Sequence, residues 1–481
     1  MADTIEMYID GRWHGAESDE RLPIFNPSTG EQCDTIPAGG AADIDRAVAA
    51  ARRALSGEWA GLKPADRARM LAAAASGIRA RSGELSALLV EENGKPAAHA
   101  PAEVESAARY TEYYGGLADK ISGSALDLGA EVIDFVRREP LGVTAHIIPW
   151  NYPLDVFCRS VAPALAAGNS CVVKPSPETA RATLAMTRAF EAAGVPAGVL
   201  NVVSGDGPTA GAALSAHPDI DAIIFTGSAQ TGKAVLRAAA ENITPVISLE
   251  LGSKCPSIVF REPDDLDGPV GEAVGNLLWN CGQSCGQRSR VYVRRDSYDR
   301  YVERLAEGAA GIRVGRADDP KTVMGPLASA TQYEKVLRMI DGGRKAGARV
   351  VAGGGRPAGV PEGGYFVEPT LFSDCRQEME IVREEVFGPV LAVLPVNDFD
   401  EALALANDSP YSLSAAVWTR DLALAHRAIR ALDVGHLTIN GSDAFGFEVP
   451  FGGNRKSGFG REGGPAAVMQ YTKEKNVWMR E

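Results

Sequence analysis

Two cysteines, Cys281 and Cys285, lie four positions apart in the glycine-rich stretch "WNCGQSCGQRSR" (279–290). Such thiols can ligate a metal, close a disulfide or supply a nucleophile. Metal ligation is disfavoured, because this spacing has no second pair of Cys or His residues nearby. The seven cysteines of the chain are odd in number and scattered, which is typical of a reducing compartment. From the residues alone, a nucleophilic and a structural role for these thiols both stay open.

A nucleophilic thiol needs a base, and six scattered histidines do not indicate which residue supplies it. Glu250 ends the apolar run "ISLE" (247–250), where loss of solvent would raise the pKa of its carboxyl group and suit it to general-base catalysis. A salt-bridged carboxylate at a strand end is the simpler interpretation of an isolated Glu at this place.

Length and charge limit the class of protein. A chain of 481 residues is too long for one hydrophobic core, so two or more domains are expected. A net charge of −13 argues against nucleic acid or an anionic membrane as the main partner. No apolar run is long enough to span a membrane, and the first residues do not resemble a signal peptide. A cytoplasmic protein is therefore expected.

The elements around these residues alternate between strand and helix. Repeated βα units of this length predict a parallel sheet with helices on both faces, which binds ligands at the carboxyl ends of its strands. The predicted strands are 143–148, 170–174, 198–205, 221–227 and 244–250, and the helices are 153–168, 179–193, 208–216 and 229–241.

A second α/β series is predicted to begin after Cys285. Its strands are 290–295, 348–354, 388–396, 414–420 and 435–440, with helices such as 298–311 and 398–407. Two further segments, 125–142 and 469–481, look like strands that belong to neither series. Because unpaired strands need a cover, we expect them to form an oligomer contact, with solvent-exposed arms as the alternative.

Seven motifs then decide between the interpretations. In order along the chain they are "PWNYPL" (149–154), "VVKPSPET" (172–179), "FTGS" (225–228), "LELG" (249–252), "GQSC" (282–285), "EEVFGPV" (384–390) and "PFGGNRKSGFGRE" (450–462). The chain thereby resembles the NAD(P)-dependent aldehyde dehydrogenase superfamily over nearly its whole length. The resemblance implies an α/β fold of two doubly wound Rossmann-like domains with a small β oligomerisation element, assembled as a homodimer or homotetramer.

The resemblance also implies domain limits. Residues 1–119 and 141–251 would form the dinucleotide-binding domain, residues 252–465 the catalytic domain, and residues 120–140 and 466–481 the oligomerisation strands.

The resemblance assigns catalytic roles to three residues. Cys285 is implied to be the nucleophile that adds to an aldehyde, and Cys281 a small packing residue. The side-chain amide of Asn151 and the backbone N–H of Cys285 would stabilise the resulting oxyanion, although an isolated Asn at a strand-to-helix turn more simply caps the helix. Glu250 would activate the water that hydrolyses the thioester. Relatives that pass the acyl group to coenzyme A generally lack this Glu, so a hydrolytic enzyme is expected.

For the cofactor, the resemblance implies binding residues at four places. Gly227 and Ser228 open a helix whose N–H groups favour a pyrophosphate, and Lys174 resembles the adenosine-ribose contact. Glu385 and Phe387 resemble the nicotinamide-ribose ligand and its neighbour, with Trp150 close by.

Two positions depart from the family. Pro177 replaces the Glu that often accepts from the ribose in NAD-preferring relatives, so NAD is expected with NADP as the alternative. Ser253 follows "LELG", where relatives commonly have Gly.

The substrate is the least specified part. Five aromatic residues near the motifs suggest a pocket for an aromatic or hydrophobic aldehyde, although any one of them could instead pack the core: Tyr152, Trp279, Phe445, Phe447 and Phe451. In succinate-semialdehyde dehydrogenases an arginine at the place of Arg159 helps to bind the substrate carboxylate. The second arginine of that clamp is Trp279 here, so a helix-face salt bridge is the favoured role of Arg159.

Several other functions stay open as alternatives. They are a semialdehyde dehydrogenase for a carboxylate-bearing substrate, an aldehyde dehydrogenase that acylates coenzyme A, a cysteine hydrolase without redox chemistry, and an inactive binding protein with this fold. No metal is expected.

Overall fold

The structure, a computed structural model, describes residues 5–441 and 446–480. The strands within these ranges are β1 (Met7–Ile9), β2 (Arg12–His14), β3 (Arg21–Phe25), β4 (Gln32–Pro37), β5 (Ser124–Asp127), β6 (Val132–Pro140), β7 (Val143–Ile148), β8 (Ser170–Pro175), β9 (Leu200–Val202), β10 (Ala222–Thr226), β11 (Val246–Glu250), β12 (Pro256–Phe260), β13 (Arg290–Arg294), β14 (Arg349–Ala352), β15 (Thr370–Ser373), β16 (Val390–Val396), β17 (Tyr411–Ser412), β18 (Ser414–Thr419), β19 (His436–Ile439), β20 (Asn454–Arg455), β21 (Gly458–Phe459) and β22 (Thr472–Arg480).

The α-helices in the same ranges are α1 (Ala41–Ala54), α2 (Glu58–Gly61), α3 (Pro64–Ala80), α4 (Ser82–Leu88), α5 (Ala100–Leu117), α6 (Pro153–Ala167), α7 (Ala180–Ala192), α8 (Ala212–Ser215), α9 (Ala229–Glu241), α10 (Asp267–Leu278), α11 (Arg295–Ala310), α12 (Ala330–Lys345), α13 (Glu380–Arg383), α14 (Phe399–Asn407), α15 (Leu422–Ala431) and α16 (Gly464–Met469). The predicted helix over 208–216 is divided into a π-helical turn (Gly207–Gly211) and α8.

The first sheet has the order β2-β1-β9-β8-β7-β10-β11-β21. Its five central strands, β9 to β11 in that order, are parallel, as predicted. All residues of β7 and β8 are buried, as expected for central parallel strands that are covered on both faces. Val172 of β8 belongs to the same apolar cluster as Ile44 of α1, whereas its neighbour Val173 belongs to the cluster that contains Phe157 of α6. Helices therefore cover both faces of this sheet.

The second sheet has the order β14-β15-β16-β13-β12-β18-β19 and is parallel except for the edge strand β14. The fold class of two doubly wound sheets is thus confirmed. The expected start of this series after Cys285 is wrong, because the central strand β12 precedes that residue. Its sequence, "PSIVF", begins with a proline, which disfavours strands but is accepted at the first position of one.

The two segments predicted as extra strands are strands. Together β22, β6 and β5 form a three-stranded antiparallel sheet, in which β22 pairs with β6 along its whole length. Exposed apolar side chains lie on all three strands, and they include Leu126, Ile133, Trp478 and Met479.

The segment 450–462 joins the edge of the first sheet. Strand β21 pairs with Leu249 and Glu250 of β11, and a Cβ on Gly458 would lie 1.9 Å from the Leu249 carbonyl oxygen, so only glycine fits there. A bridge between Phe451 and Glu462 folds this segment back on itself. These contacts bring both of its ends towards Glu250.

No helix within residues 5–441 and 446–480 combines the length and the apolar content needed to cross a bilayer. Over the same ranges, the structure contains no group of three or more His, Cys, Asp or Glu side chains arranged to hold a metal ion.

Candidate active site

A cavity of about 690 Å³ lies at the carboxyl ends of the parallel strands of the first sheet. It is lined at one side by residues that follow β7, β10 and β11, and at the other by the loops that precede β13 and β16. Twelve of the residues proposed from the sequence line it: Trp150, Asn151, Tyr152, Arg159, Gly227, Ser228, Glu250, Trp279, Cys285, Glu385, Phe387 and Phe451.

The loop that carries Cys285 connects α10 to β13 and is held tightly from both sides. The side-chain oxygen of Gln283 accepts from the Ala328 N–H at 2.9 Å, and the Gln287 amide donates to the Gly388 carbonyl at 2.9 Å. Gly282 has φ +68°, and a Cβ there would lie 2.2 Å from the Gly388 oxygen. Glycine is therefore required beside the nucleophile.

Cys281 differs from Cys285 in its surroundings. It is buried within the core beneath the second sheet, where it belongs to the same apolar cluster as Tyr292 and Met324. Its φ of +56° is in the left-handed region, as is that of Asn280 at +48°. All seven cysteines are free, and the packing position of Cys281 agrees with the expectation for it.

Cys285 lies against a small apolar cluster of Cys255, Leu413 and Phe451. Burial raises the pKa of its thiol to about 12, and the carboxylates of Glu250 and Glu385 act in the same direction. The Arg159 guanidinium opposes them and lowers it. The resting thiol is therefore protonated at neutral pH, and a base is needed to activate it.

Glu250 ends β11 and is 3% exposed. Neither of its carboxyl oxygens has a hydrogen-bond partner among the described residues. Burial raises the pKa of this carboxyl well above its usual value, and the nearby charge of Glu462 raises it further. The charges of Arg159 and Arg461 oppose this shift, but Glu250 forms no ion pair with a residue that the structure describes, which disfavours the simpler interpretation of a salt-bridged strand-end carboxylate.

Asn151 lies between β7 and α6 and does not cap the helix. The cap position is Tyr152, whose side chain makes no capping hydrogen bond, and the first-turn N–H of Leu154 donates instead to the Glu103 carboxylate at 3.0 Å. One N–H of the Asn151 amide donates to the Gln283 carbonyl at 3.1 Å, and the Asn280 amide donates to the Asn151 backbone carbonyl at 2.7 Å. Asn151 is thus joined directly to the loop that carries Cys285.

The start of α9 forms the part of the cavity suited to a phosphate group. Ser228 caps this helix by accepting from the Thr231 N–H at 3.1 Å, and its first turn contains no acidic residue. A Cβ on Gly227 would lie 2.6 Å from the ring of Phe225, so a larger residue would disturb the turn. The free N–H groups and the dipole of the helix favour an anion here.

Glu385 and two aromatic rings form the neighbouring part of the wall. The Glu385 side chain accepts from the Ser253 N–H at 2.7 Å through Oε1, and Oε2 has no hydrogen bond to a described residue. Burial raises the pKa of this carboxyl to about 6. The rings of Trp150 and Phe387 meet edge to face with their centroids 5.4 Å apart. A free carboxyl oxygen beside an apolar wall fits a ribose and a flat heterocycle.

Lys174 does not line the cavity. Its ammonium group is buried and donates to the carbonyls of Pro175 and Gly205, at 3.0 and 2.9 Å. Burial lowers the pKa of this amine to about 8. Its role as a ribose contact stays a prediction.

The substrate side of the cavity is aromatic. Trp279 is 51% exposed, and its ring lies 4.2 Å from that of His99, centroid to centroid. Phe451 is buried beneath Cys285. Phe447 is not among the lining residues and packs edge to face on Tyr110, which does line the cavity, so its place in a substrate pocket stays a prediction. The proposed pocket residue Phe445 lies outside the described residues.

Arg159 lies in the cavity wall and is paired there. Its Nε is 2.5 Å from Oε2 of Glu462, and the two side chains are only 11% and 3% exposed. The expectation of a salt bridge is confirmed. The pair is buried beside the nucleophile rather than on a solvated helix face, because Glu462 lies on the segment 450–462 that pairs with β11.

Comparison of the chain with known proteins supports the same kind of active site. A sequence profile described as "Aldehyde dehydrogenase family" matches residues 13–477. The chain belongs to the aldehyde dehydrogenase family. The membership expected from the seven motifs is thereby confirmed.

Solved aldehyde dehydrogenases have closely similar structures. A putative aldehyde dehydrogenase from Burkholderia cenocepacia is 43% identical, with 99% of each chain covered and a TM-score of 0.96. The NAD+ complex of an aldehyde dehydrogenase from Bacillus cereus is 39% identical, with 99% of this chain and 97% of that chain covered, at 0.96.

A third structure is the indole-3-acetaldehyde dehydrogenase AldA of P. syringae, a cysteine-to-alanine mutant in complex with NAD+ and IAA. It is 36% identical, with 100% of this chain and 97% of that chain covered and a TM-score of 0.97.

Further residues of this aldehyde dehydrogenase line the cavity without having been predicted. They include Tyr110, Asp155, Glu272, Arg288, Gln332 and Lys335. Glu272 and Arg288 form a second buried ion pair at 3.3 Å. These residues belong to helices and loops far apart in the chain and have no motif of their own. Two of them had a sequence signal nearby: Asp155 directly follows "PWNYPL", and Arg288 lies three residues after Cys285.

Proposed function

We propose that this aldehyde dehydrogenase oxidises an aromatic or hydrophobic aldehyde to its carboxylic acid, with NAD+ as the electron acceptor and with release by hydrolysis. The observation that carries the proposal is the meeting of Asn151, Glu250 and Cys285, from three distant segments, in one cavity. The solved relatives from Bacillus cereus and P. syringae, both in complex with NAD+, support the choice of cofactor.

Cys285 performs the first step. Its thiol gives its proton to the Glu250 carboxylate, which passes it on to solvent, and the sulfur adds to the aldehyde carbon while the carbonyl electron pair moves to oxygen. An amide has two N–H groups, and since Asn151 gives one to Gln283, the other can donate to this oxyanion together with the Cys285 backbone N–H. Fixed donors of this kind stabilise the tetrahedral adduct on the sulfur.

The cavity residues around the start of α9 would hold the cofactor. NAD+ supplies an acceptor for the hydrogen and electron pair that leave the carbon of the adduct. Ser228 and Gly227 would bind its pyrophosphate, and the free oxygen of Glu385 would accept from a ribose hydroxyl. Trp150 and Phe387 would exclude water from the reacting carbon, which becomes the carbon of a thioester on Cys285.

Glu250 completes the cycle. Its carboxylate takes a proton from a water molecule, the water oxygen attacks the thioester carbon, and the C–S bond breaks with the proton returning to sulfur. A carboxyl whose oxygens have no partner in the described residues is free to bind that water. This residue favours hydrolysis over transfer to coenzyme A.

NAD is proposed over NADP because the relatives from Bacillus cereus and P. syringae were solved with NAD+. One position points the other way: Pro177 removes the acidic side chain that repels a 2′-phosphate, and the next residue, Glu178, accepts from the Ser176 hydroxyl. A ratio of kcat/KM for the two cofactors measures this preference. A higher value with NADP would overturn the choice of NAD while leaving the reaction unchanged.

An aromatic or hydrophobic substrate is proposed from the wall of the cavity. Tyr152, Trp279 and Phe451 supply apolar surface, and the charge of Arg159 is already neutralised by Glu462. A substrate carboxylate would therefore have to compete with a buried partner, which disfavours a semialdehyde.

The test is a panel of aliphatic, aromatic and carboxylate-bearing aldehydes, each assayed with NAD and NADP in the parent and in Trp279→Ala. Aromatic aldehydes should give the highest kcat/KM, and Trp279→Ala should lower it about 5- to 10-fold for them alone, because a half-buried ring contact contributes about 1 kcal/mol. The variant Trp13→Ala, on the edge strand β2 and outside the cavity lining, is the control. An equal loss of kcat/KM for small aliphatic aldehydes would contradict the role of Trp279 in an aromatic substrate pocket. Hydrolysis of esters without any reduction of NAD or NADP would contradict the proposed oxidation of aldehydes.

We also propose that the chain works in the cytoplasm as a homodimer or homotetramer joined through β5, β6 and β22. The support is the exposed Ile133, Trp478 and Met479 on a sheet with open edges, and seven free cysteines. Sedimentation of the parent and of Ile133→Asp/Met479→Asp tests the contact. A monomeric parent, or an assembly unchanged by the substitutions, would overturn it.

A further inference from the structure

Ser253 contacts two parts of the cavity at once. Its backbone N–H donates to Glu385 Oε1 at 2.7 Å, and its hydroxyl donates to the backbone carbonyl of Cys285. The residue is 3% exposed. It therefore joins the proposed ribose ligand to the proposed nucleophile through one buried serine.

The hydroxyl is the end of a chain of buried polar groups. Ser414 Oγ donates to Cys255 Sγ at 3.1 Å, and Cys255 Sγ lies 3.2 Å from Ser253 Oγ and 3.5 Å from the Cys285 carbonyl oxygen. Each donor in such a chain strengthens the next bond, because a hydroxyl that accepts a hydrogen bond becomes a better donor.

We propose that Ser253 is a positioning residue, whose hydroxyl fixes the Cys285 carbonyl and thereby makes the adjacent sulfur more reactive as a thiolate. This inference rests on the proposed role of Cys285 as the nucleophile.

Two physical effects lead to this role. The Cys285 carbonyl belongs to the peptide plane attached to the Cα from which the side chain extends, so a hydrogen bond to it fixes ψ and with it the direction of the Cα–Cβ bond that leads to the sulfur. The carbonyl oxygen also carries partial negative charge, which disfavours an anion on the nearby sulfur. A hydrogen bond from the Ser253 hydroxyl offsets part of this negative charge. A chain with Gly at position 253 lacks that hydrogen bond.

Other charged and titratable groups act on the same thiol and stay in place in the variants. Arg159 on α6 favours the thiolate, whereas Glu250 at the end of β11, Glu385 before β16 and the Cys255 thiol disfavour it. The hydroxyl is one contribution among these, so a moderate effect is expected.

The test is the rate at which iodoacetamide alkylates Cys285 in the full-length enzyme without aldehyde, measured against pH. Mass spectrometry identifies the alkylated cysteine. Ser253→Gly and Ser253→Ala should react about 2- to 10-fold more slowly at a given pH, as expected for the loss of one hydrogen bond, and their profiles should move to higher pH. Ser253→Thr keeps the hydroxyl and should retain the parent profile.

Turnover separates positioning from a general loss of structure. The backbone N–H of residue 253 survives in each variant, so the KM for NAD should not change while kcat falls. The matched control is Ser215→Ala, which removes another buried hydroxyl that donates to a backbone carbonyl, at 2.8 Å, outside the cavity. It should leave both measurements unchanged.

An alkylation profile of Ser253→Gly equal to that of the parent would overturn the inference. So would a Ser253→Thr profile that matches Ser253→Gly when both variants have the circular dichroism spectrum of the parent. If Thr does not fold, the comparison of Gly, Ala and parent decides. Alkylation needs no turnover, so a failure of the proposed function would appear separately, as absence of NAD reduction by the parent.

Discussion

Arg159 and Glu462 form an ion pair in the wall of the cavity, with 2.5 Å between Nε and Oε2, although 303 positions, 462 minus 159, separate them in the chain. Both side chains are nearly excluded from solvent, and the ring of Phe451 lies 5.6 Å from the guanidinium carbon. The pair balances its own charge. An arginine that could have bound a substrate carboxylate is thus engaged within the protein.

Arg159→Leu should destabilise the enzyme, because it leaves Glu462 buried without a partner. The expected loss in free energy of unfolding is about 3–5 kcal/mol, and Arg159→Leu/Glu462→Leu should regain most of it. Urea unfolding measures both. A double variant as unstable as the single one would contradict the pairing. If the KM of Arg159→Leu rose only for carboxylate-bearing aldehydes, Arg159 would bind the substrate carboxylate, contrary to the pairing with Glu462.

Glu250→Gln should lower steady-state turnover about 10²- to 10⁴-fold, because the water that attacks the thioester loses its base. The pKa of Glu250 is raised, so its basic form becomes populated as pH rises, and kcat of the parent should increase with pH through that range. The variant should lack this increase. Glu241→Gln, at an exposed helix end, is the control. A parent-like pH profile in Glu250→Gln would contradict the assignment.

Asn151→Ala should lower kcat about 10²- to 10³-fold with little change in the KM for NAD, as expected for loss of one oxyanion donor. Stopped-flow measurement of the first turnover shows whether the deficit lies in formation of the adduct. Asn407→Ala is the control, since its amide also donates to a carbonyl, that of Ala431 at 2.8 Å, but far along the chain. A first turnover at the parent rate would remove Asn151 from the oxyanion site.

The sequence predicted the position of the site because its motifs lie at strand ends. Trp150, Ser228 and Glu250 follow or end three strands that are adjacent in a parallel sheet, and such ends converge whatever the sequence between them. Most strands of the two sheets could be predicted from short apolar runs, and β12 is an exception because it begins with a proline.

Other features depend on tertiary contacts that no local pattern contains. Glu462, the partner of Arg159, lies on the segment whose strand β21 pairs with β11. Phe447 packs on Tyr110 and does not line the cavity. The hydroxyl of Ser253 was visible as a departure from the family, but its acceptor, the Cys285 carbonyl, depends on how β11 and the nucleophile loop meet. Lys174 ends the predicted strand, yet its ammonium group is satisfied by two carbonyls outside the cavity lining.

The most direct measurement is aldehyde-dependent reduction of NAD by Cys285→Ser, compared with the parent and with Cys33→Ser, which changes a thiol outside the cavity lining. A serine hydroxyl is far less acidic than a thiol and adds poorly to a carbonyl at neutral pH, so the rate should fall by more than about 10³-fold while Cys33→Ser stays at the parent rate. Reduction of NAD by Cys285→Ser at the parent rate would contradict the account.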